Sequence, residues 1–300
     1  MAPIVPQRVV IIDCDHSIFG YWLPALSFRD SQLTMRFPLF FAALLMLSSS
    51  ASTAPFLVAH RGASKEAPEN TLPAFKLAWS QEADAIEGDF HLTRDGHIVC
   101  FHDRDTKKIT GKKLVVAEST LADLQALDVG KLRGPSFAGT RMPILREVLA
   151  TVPAGKKIYI EIKCGPEITP TLLAEVKQSK LRDDQVVIIA FDFAVIAAVK
   201  MAHPQWTANW LYSFESKLKN AAANDLPELL RKLKLIKADG LSTNSHPSLT
   251  KKDIETLRSA GYQHHVWTID DAKTARRFLE MGSQTVTTNK PGALRKALAP

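Results

Sequence analysis

Cysteine is scarce in this 300-residue chain, with only Cys14, Cys100 and Cys164. So few cysteines exclude a disulfide-built scaffold, and no Cys set or His pair lies at a spacing suited to zinc. Cys100 and Cys164 could bond in an oxidising compartment, but two buried free thiols are the simpler expectation. A long basic run is also missing. Net charge is +7, yet 38 Lys and Arg are interleaved with 31 acids and no nucleic-acid-binding motif occurs. The excess charge therefore reads as a solvated basic surface with mild attraction for a small phosphate-bearing substrate, and no nucleic-acid partner is expected. Internal repeats and low-complexity tracts are absent too.

No apolar stretch is long enough for a comfortable membrane span. The nearest is "LFFAALLMLSSSASTA", which follows Met35-Arg36-Phe37-Pro38. A short cationic start, an apolar centre and small residues at Ala51 and Ala54 form the pattern of a secretory signal peptide. The alternative is a buried or membrane-anchoring N-terminal helix. No Cys follows the small residues, so no lipoprotein anchor is expected. The expected organisation is residues 1–34 as an upstream extension, 35–54 as a signal peptide and 55–300 as one domain. That domain would be exported after cleavage near Ala54, with no stable membrane anchor.

What the chain does have is alternation, on a composition that is 46% apolar. Short apolar runs at 56–60, 85–90, 157–163, 186–191, 207–212, 238–243, 264–269 and 284–289 alternate with segments of helical spacing. In "TLPAFKLAW", Leu72, Phe75, Ala78 and Trp79 share one face, Asn70 or Thr71 can cap, and Pro73 suits the first turn. Alternation of this kind predicts an α/β fold, a (β/α)8 TIM barrel. "HIVCF" at 97–101 follows the second run after only "TRDG". A parallel crossover needs a dozen or more residues, so this is an antiparallel hairpin strand turning at Asp95-Gly96. Residues 104–145 form an insertion after it.

Barrel enzymes carry their chemistry at the C-terminal ends of the strands. There the first run ends in His60-Arg61, and the second carries Glu87 and Asp89 two residues apart, on one face. The hairpin strand ends in His102-Asp103. The third parallel run places Tyr159, Glu161 and Lys163 on one face, with Ile158, Ile160 and Ile162 opposite. Three carboxylates at one mouth cannot all ionise without a counter-charge. A hard divalent cation, Ca²⁺ or Mg²⁺, supplies one; a salt-bridge cluster with Arg61 and Lys163 is the alternative. His60 and His102 then suit general acid and base, and Arg61 and Lys163 suit phosphate oxygens. Trp267 and Phe191 are read either as an apolar wall of the site or as barrel packing. His91, His97, His203 and His246 are read as surface or turn residues.

The block "HRG…APENTLPAF" followed by "AIEGDFHLTRDGHIVCFHD", then "STLADLQALD", "RMPILREVL", "IYIEIK", "HVWTI" and "TTNKPG" in order, resembles the glycerophosphodiester phosphodiesterase family from about Phe56 to Gly292. The resemblance implies metal-dependent cleavage of a glycerophosphodiester into sn-glycerol 3-phosphate and an alcohol. Glu87, Asp89 and Glu161 would hold Ca²⁺ or Mg²⁺, His60 and His102 would act as acid and base, and Arg61 and Lys163 would bind phosphate. It also implies two steps, attack by the glycerol 2-hydroxyl and hydrolysis of the cyclic phosphate. The chain departs from the family at Asn289, where Asp is usual, which puts an ionic tie at that place in question. The competing readings are a lysophospholipase-D-like or sphingomyelinase-D-like enzyme on lipids, and a non-catalytic phosphate-binding barrel. The insertion has Phe137 as its only aromatic, which favours soluble substrates.

Overall fold

The computed structural model describes residues 54–214 and 221–299. The expected upstream extension, nearly all of the signal peptide and Cys14 lie outside the described residues. Among the described residues there are nine strands, all but the β2–β3 pair separated by helices: β1 (Leu57–Ala59), β2 (Ala85–Leu92), β3 (Ile98–Cys100), β4 (Lys157–Ile162), β5 (Val186–Ala190), β6 (Thr207–Tyr212), β7 (Gly240–Asn244), β8 (Gln263–Trp267) and β9 (Thr285–Thr288). All except β3 pair in parallel, and the β1–β2 pairing closes the ring into the expected eight-stranded barrel. The strand outside the ring, β3, pairs antiparallel with β2, and Gly96 at its turn has φ +81°.

Alternation along the strands separates two apolar environments. Outward-facing Ile86, Phe90, Ile158, Ile160 and Ile188 pack with helix residues such as Phe75, Leu172 and Val195. Inward-facing Val58, Ala85, Tyr159, Val187, Ile189 and Leu211 fill the barrel. Below the mouth His265 donates or accepts at Thr285 Oγ1 (2.8 Å) and meets the edge of Tyr159. Burial pushes its pKa down to about 4, so it is a neutral packing group. Helix ends follow local chemistry. Thr71 caps the helix Leu72–Ser80, with Pro in its first turn, and Thr250 forms a capping box with Asp253. Cys100 and Cys164 are both free thiols.

Two histidines read as surface residues are buried. His91 continues the inward face of β2 past Asp89 and lies under the hairpin, with Nε2 3.2 Å from the His102 carbonyl oxygen. His246 packs against Phe214, and its Nδ1 meets Ser248 Oγ at 2.7 Å. Both sit beside turns in sequence, and what buries them arrives from distant segments. His97 and His203 remain at the surface side, His203 paired with Asp183.

Candidate active site

Strand β1 is short, and its early end creates the site. It pairs with β2 only at Ala85 and Ile86, so the upper half of β2 is left without a barrel neighbour on that side. Two segments fill the gap. The Asn70 side chain accepts from the Asp89 N–H (3.1 Å) and donates to Asp89 Oδ2 (2.8 Å). The hairpin runs back down from Leu92, and the Phe101 N–H donates to the Asp89 carbonyl at 2.8 Å. This return places His102 beside the carboxylates of β2. Without the hairpin the chain would continue up and away from the mouth.

On the other flank, the His60 N–H donates to the Thr288 carbonyl (2.8 Å) and the Arg61 N–H to Glu87 Oε2 (2.8 Å). Arg61 and Gly62 take left-handed φ values of 56° and 79°, which turns the chain outward. A Cβ on Gly62 would lie 2.6 Å from the Ala74 carbonyl carbon, so only glycine fits under that helix.

Glu87, Asp89 and Glu161 bring ligand oxygens within 4.8 Å of one another, all three residues being buried. Like charges at that separation repel by roughly 3–4 kcal/mol per pair at an effective dielectric near 20. Arg61 Nε lies 3.0 Å from Asp89 Oδ2, and Lys163 Nζ lies 2.6 Å from Glu161 Oε1 and 3.5 Å from Asp89 Oδ1. These two cations do not match three anions. Burial and then the neighbouring Asp89 push the Glu87 carboxyl up to about 8 and the Glu161 carboxyl up to about 7. Burial acts on Asp89 in the same sense, but Arg61 and Lys163 outweigh it and hold that carboxyl below its ordinary value.

The hydrogen bonding of the carboxylate oxygens bears on the choice between a salt-bridge cluster and a cation site. Glu87 Oε2 and Asp89 Oδ2 are occupied by Arg61 and Asn70, whereas Glu87 Oε1 and Asp89 Oδ1 are buried with no hydrogen-bond partner, Asp89 Oδ1 having only the Lys163 ammonium 3.5 Å away. Buried carboxylate oxygens are costly to leave unpaired. An all-carboxylate donor set with converging oxygens fits a hard divalent cation.

His60 and His102 line the same cavity, of ≈ 220 Å³, together with Arg61, Lys163, Phe191 and Trp267. Phe191 and Trp267 meet edge to face at 5.7 Å, and Trp267 Nε1 is buried with no partner. All the residues singled out from the sequence thus converge, and Phe191 and Trp267 form a wall of the cavity.

Each histidine is fixed through Nδ1. The Asn289 amide donates to Asp270 Oδ2 (2.9 Å), so its carbonyl oxygen faces His60 Nδ1 (2.8 Å) and that nitrogen carries the proton. His102 Nδ1 lies 2.7 Å from Asp103 Oδ1, a pure acceptor, so it too is the protonated nitrogen. In both rings Nε2 is the nitrogen left for other chemistry. Sequence reasoning passed over Asn70, Asp103 and Asp270. Asp103 adjoins a chosen histidine and was within reach of that logic; Asn70 and Asp270 act across 19 residues each and had no local signal.

The glycerophosphoryl diester phosphodiesterase family matches residues 60–293 of the chain. The chain belongs to that family. A glycerophosphodiester phosphodiesterase of Caldanaerobacter subterraneus is 31% identical over 245 residues, covering 79% of this chain and 95% of the relative. One from Bacillus subtilis is 29% identical over 256 residues, covering 80% and 85%. Among solved structures, an Oleispira antarctica phosphodiesterase in complex with the product sn-glycerol-3-phosphate superposes with TM-score 0.73 at 25% identity, over 82% of this chain and 97% of that one. A Thermotoga maritima glycerophosphodiester phosphodiesterase, at 24% identity and TM-score 0.65, shares the fold.

Proposed function

We propose that this phosphoric diester hydrolase cleaves glycerophosphodiesters to sn-glycerol 3-phosphate and an alcohol, with a divalent cation bound by Glu87, Asp89 and Glu161. The observation carrying the reading is the convergence of three buried carboxylates within 4.8 Å beside a cavity that both histidines line. A bound Ca²⁺ or Mg²⁺ would neutralise phosphoryl charge and acidify a substrate hydroxyl. The chain's own groups do the rest. Arg61 and Lys163, already anchored on the carboxylates, turn positive charge toward the phosphate oxygens. Trp267 and Phe191 cover the glycerol carbons, and the free Trp267 N–H donates to a substrate oxygen. His60 Nε2 takes a proton from the attacking substrate hydroxyl and His102 Nε2 delivers one to the departing alkoxide; water then opens the resulting cyclic phosphate, giving its proton to His102 while His60 returns one to the glycerol oxygen. The composition of residues 35–54 supports export of the enzyme from the cytoplasm.

The test is choline release from glycerophosphocholine, with and without a chelator, alongside thermal unfolding. Activity should vanish with chelator and return with Ca²⁺ or Mg²⁺. Glu87 and Glu161 have folded pKa values raised above the unfolded ones, so their contribution to stability is present at low pH and lost as pH rises through about 7 and 8. Metal-free protein should therefore melt at lower temperature at pH 9 than at pH 6, and the cation should raise the midpoint by about 5 °C or more at pH 9. Turnover untouched by chelator, together with a midpoint insensitive to the cation, would rule the metal site out.

A further inference from the structure

Asn70 lies in the segment that fills the gap beside β2, buried and in the left-handed region at φ 58°. Asparagine is among the few residues besides glycine that visit this region readily. Its backbone N–H donates to the Arg61 carbonyl at 3.1 Å, which ties it to the turn that carries His60. Its side chain reaches the acidic cluster from outside the barrel. Resting on the cation site proposed above, we infer that Asn70 is a positioning residue that confines Asp89 to one-oxygen coordination and thereby disfavours Ca²⁺ relative to Mg²⁺.

The amide has one orientation that satisfies its surroundings. Oδ1 accepts from the Asp89 N–H (3.1 Å) and from the Cys100 thiol (3.3 Å), and Nδ2 donates to Asp89 Oδ2 (2.8 Å). Two donors on one side and a carboxylate oxygen on the other fix which atom is oxygen and which is nitrogen. The Asp89 carboxylate is thus clamped to its own backbone through a single neutral amide. Arg61 Nε also lies 3.0 Å from Oδ2 but makes no hydrogen bond, so Asn70 supplies the one that this oxygen has. Asp89 Oδ1 is left over on the Glu161 side: Lys163 Nζ stands 2.6 Å from Glu161 Oε1 and 3.5 Å from this oxygen.

The other two acids are engaged in the same one-sided way. Glu87 Oε2 accepts from the Arg61 N–H (2.8 Å), and Glu161 Oε1 accepts from the Lys163 ammonium (2.6 Å). Each carboxylate therefore commits one oxygen to the protein and has one to offer. Ca²⁺ takes about six to eight oxygens and gains from carboxylates that chelate with both, whereas Mg²⁺ binds few carboxylates and keeps several waters. Three single oxygens suit the smaller ion. Among the three clamps, Asn70 is the one that can be removed without touching a proposed cation ligand or phosphate-binding residue.

The experiment is calorimetric titration of the full-length protein with Mg²⁺ alone and with Ca²⁺ alone. Asn70→Gly deletes the amide at a backbone conformation that glycine adopts without strain. Freed of its clamp, Asp89 can turn both oxygens to a large ion but no longer presents one in a fixed place. Mg²⁺ affinity should fall about ten-fold and Ca²⁺ affinity by about two-fold or less, so the ratio moves toward Ca²⁺. Cys100→Ala keeps both bonds between Asn70 and Asp89 and removes only the thiol that steadies the amide, so the ratio should move the same way by about two-fold. A merely structural Asn70 would lower the melting temperature of the metal-free variant and leave the ratio in place. A ratio unmoved in both variants, or equal weakening of the two cations in Asn70→Gly, would overturn the inference while leaving the proposed function standing. Should Asn70→Gly fail to fold, an unmoved ratio in Cys100→Ala would overturn it alone. A wild-type protein that binds neither cation would overturn both.

Discussion

The two histidines are the same side chain in the same tautomer, held from opposite sides of one cavity by different partners. His60 ends a barrel strand and rests on a neutral amide, Asn289, behind which Asp270 carries the charge. His102 follows the hairpin strand β3 outside the ring and rests directly on a carboxylate, Asp103. Burial and the adjacent Arg61 hold His60 below the ordinary value of 6.5, which keeps its Nε2 unprotonated at neutral pH. At His102 an imidazolium is met at once by counter-charge. On the function proposed above, the difference favours His60 in the barrel as the base and His102 after the hairpin as the acid.

The largest effects should come from removing the rings themselves. His60→Ala and His102→Ala should each lower kcat for glycerophosphocholine by about 10²–10⁴. The two then part company when the leaving group needs no proton. With a p-nitrophenyl ester of glycerol 3-phosphate, His102→Ala should recover most of its loss and His60→Ala should recover none. Equal recovery in both variants, measured by steady-state nitrophenolate release, would erase the distinction drawn between them.

A smaller effect should follow from the support of one ring. Asp103→Asn keeps a hydrogen-bonding group at His102 Nδ1 but removes the charge, and kcat for glycerophosphocholine should fall about ten-fold or more. The nitrophenyl ester should be spared here as well, because the same proton is at issue. A loss equal for both esters would mean that Asp103 shapes the loop rather than the acid.

The strand ends were legible in the sequence because alternation is a local rule. Glu87 and Asp89 must share a face whatever surrounds them, and a four-residue connection forces β3 to be antiparallel. Convergence of His60, His102 and Glu161 followed from the barrel's geometry once the strands were placed. What stayed hidden depends on register between distant segments. Asn70 serves as the hydrogen-bonding neighbour that β1 is too short to provide, and nothing in "PENT" states how far β1 runs. Likewise, Asn289 in place of an acid suggested a missing ionic tie. In the fold the charge sits one side chain further from His60, because Asp270 after β8 receives the Asn289 amide, its backbone N–H and the Thr288 hydroxyl.

That relay offers the finest test of the comparison. Asp270 is held below the ordinary carboxyl range by the hydrogen bonds from Asn289 and Thr288, which outweigh its partial burial, so the negative charge sits one amide away from His60. Asn289→Asp alone would set two carboxylates side by side and confuse the result. The exchange Asn289→Asp with Asp270→Asn moves the charge against the ring while leaving every hydrogen bond with a donor and an acceptor. His60 would then resemble His102 in its support. A negative charge in direct contact favours the protonated ring, so the folded pKa of His60 should rise. The base must be unprotonated, so the acidic limb of kcat/KM should move to higher pH. Activity near pH 6 should drop several-fold and activity above pH 8 should change little. An acidic limb that stays in place would show that the amide between His60 and Asp270 has no part in setting which ring is the base.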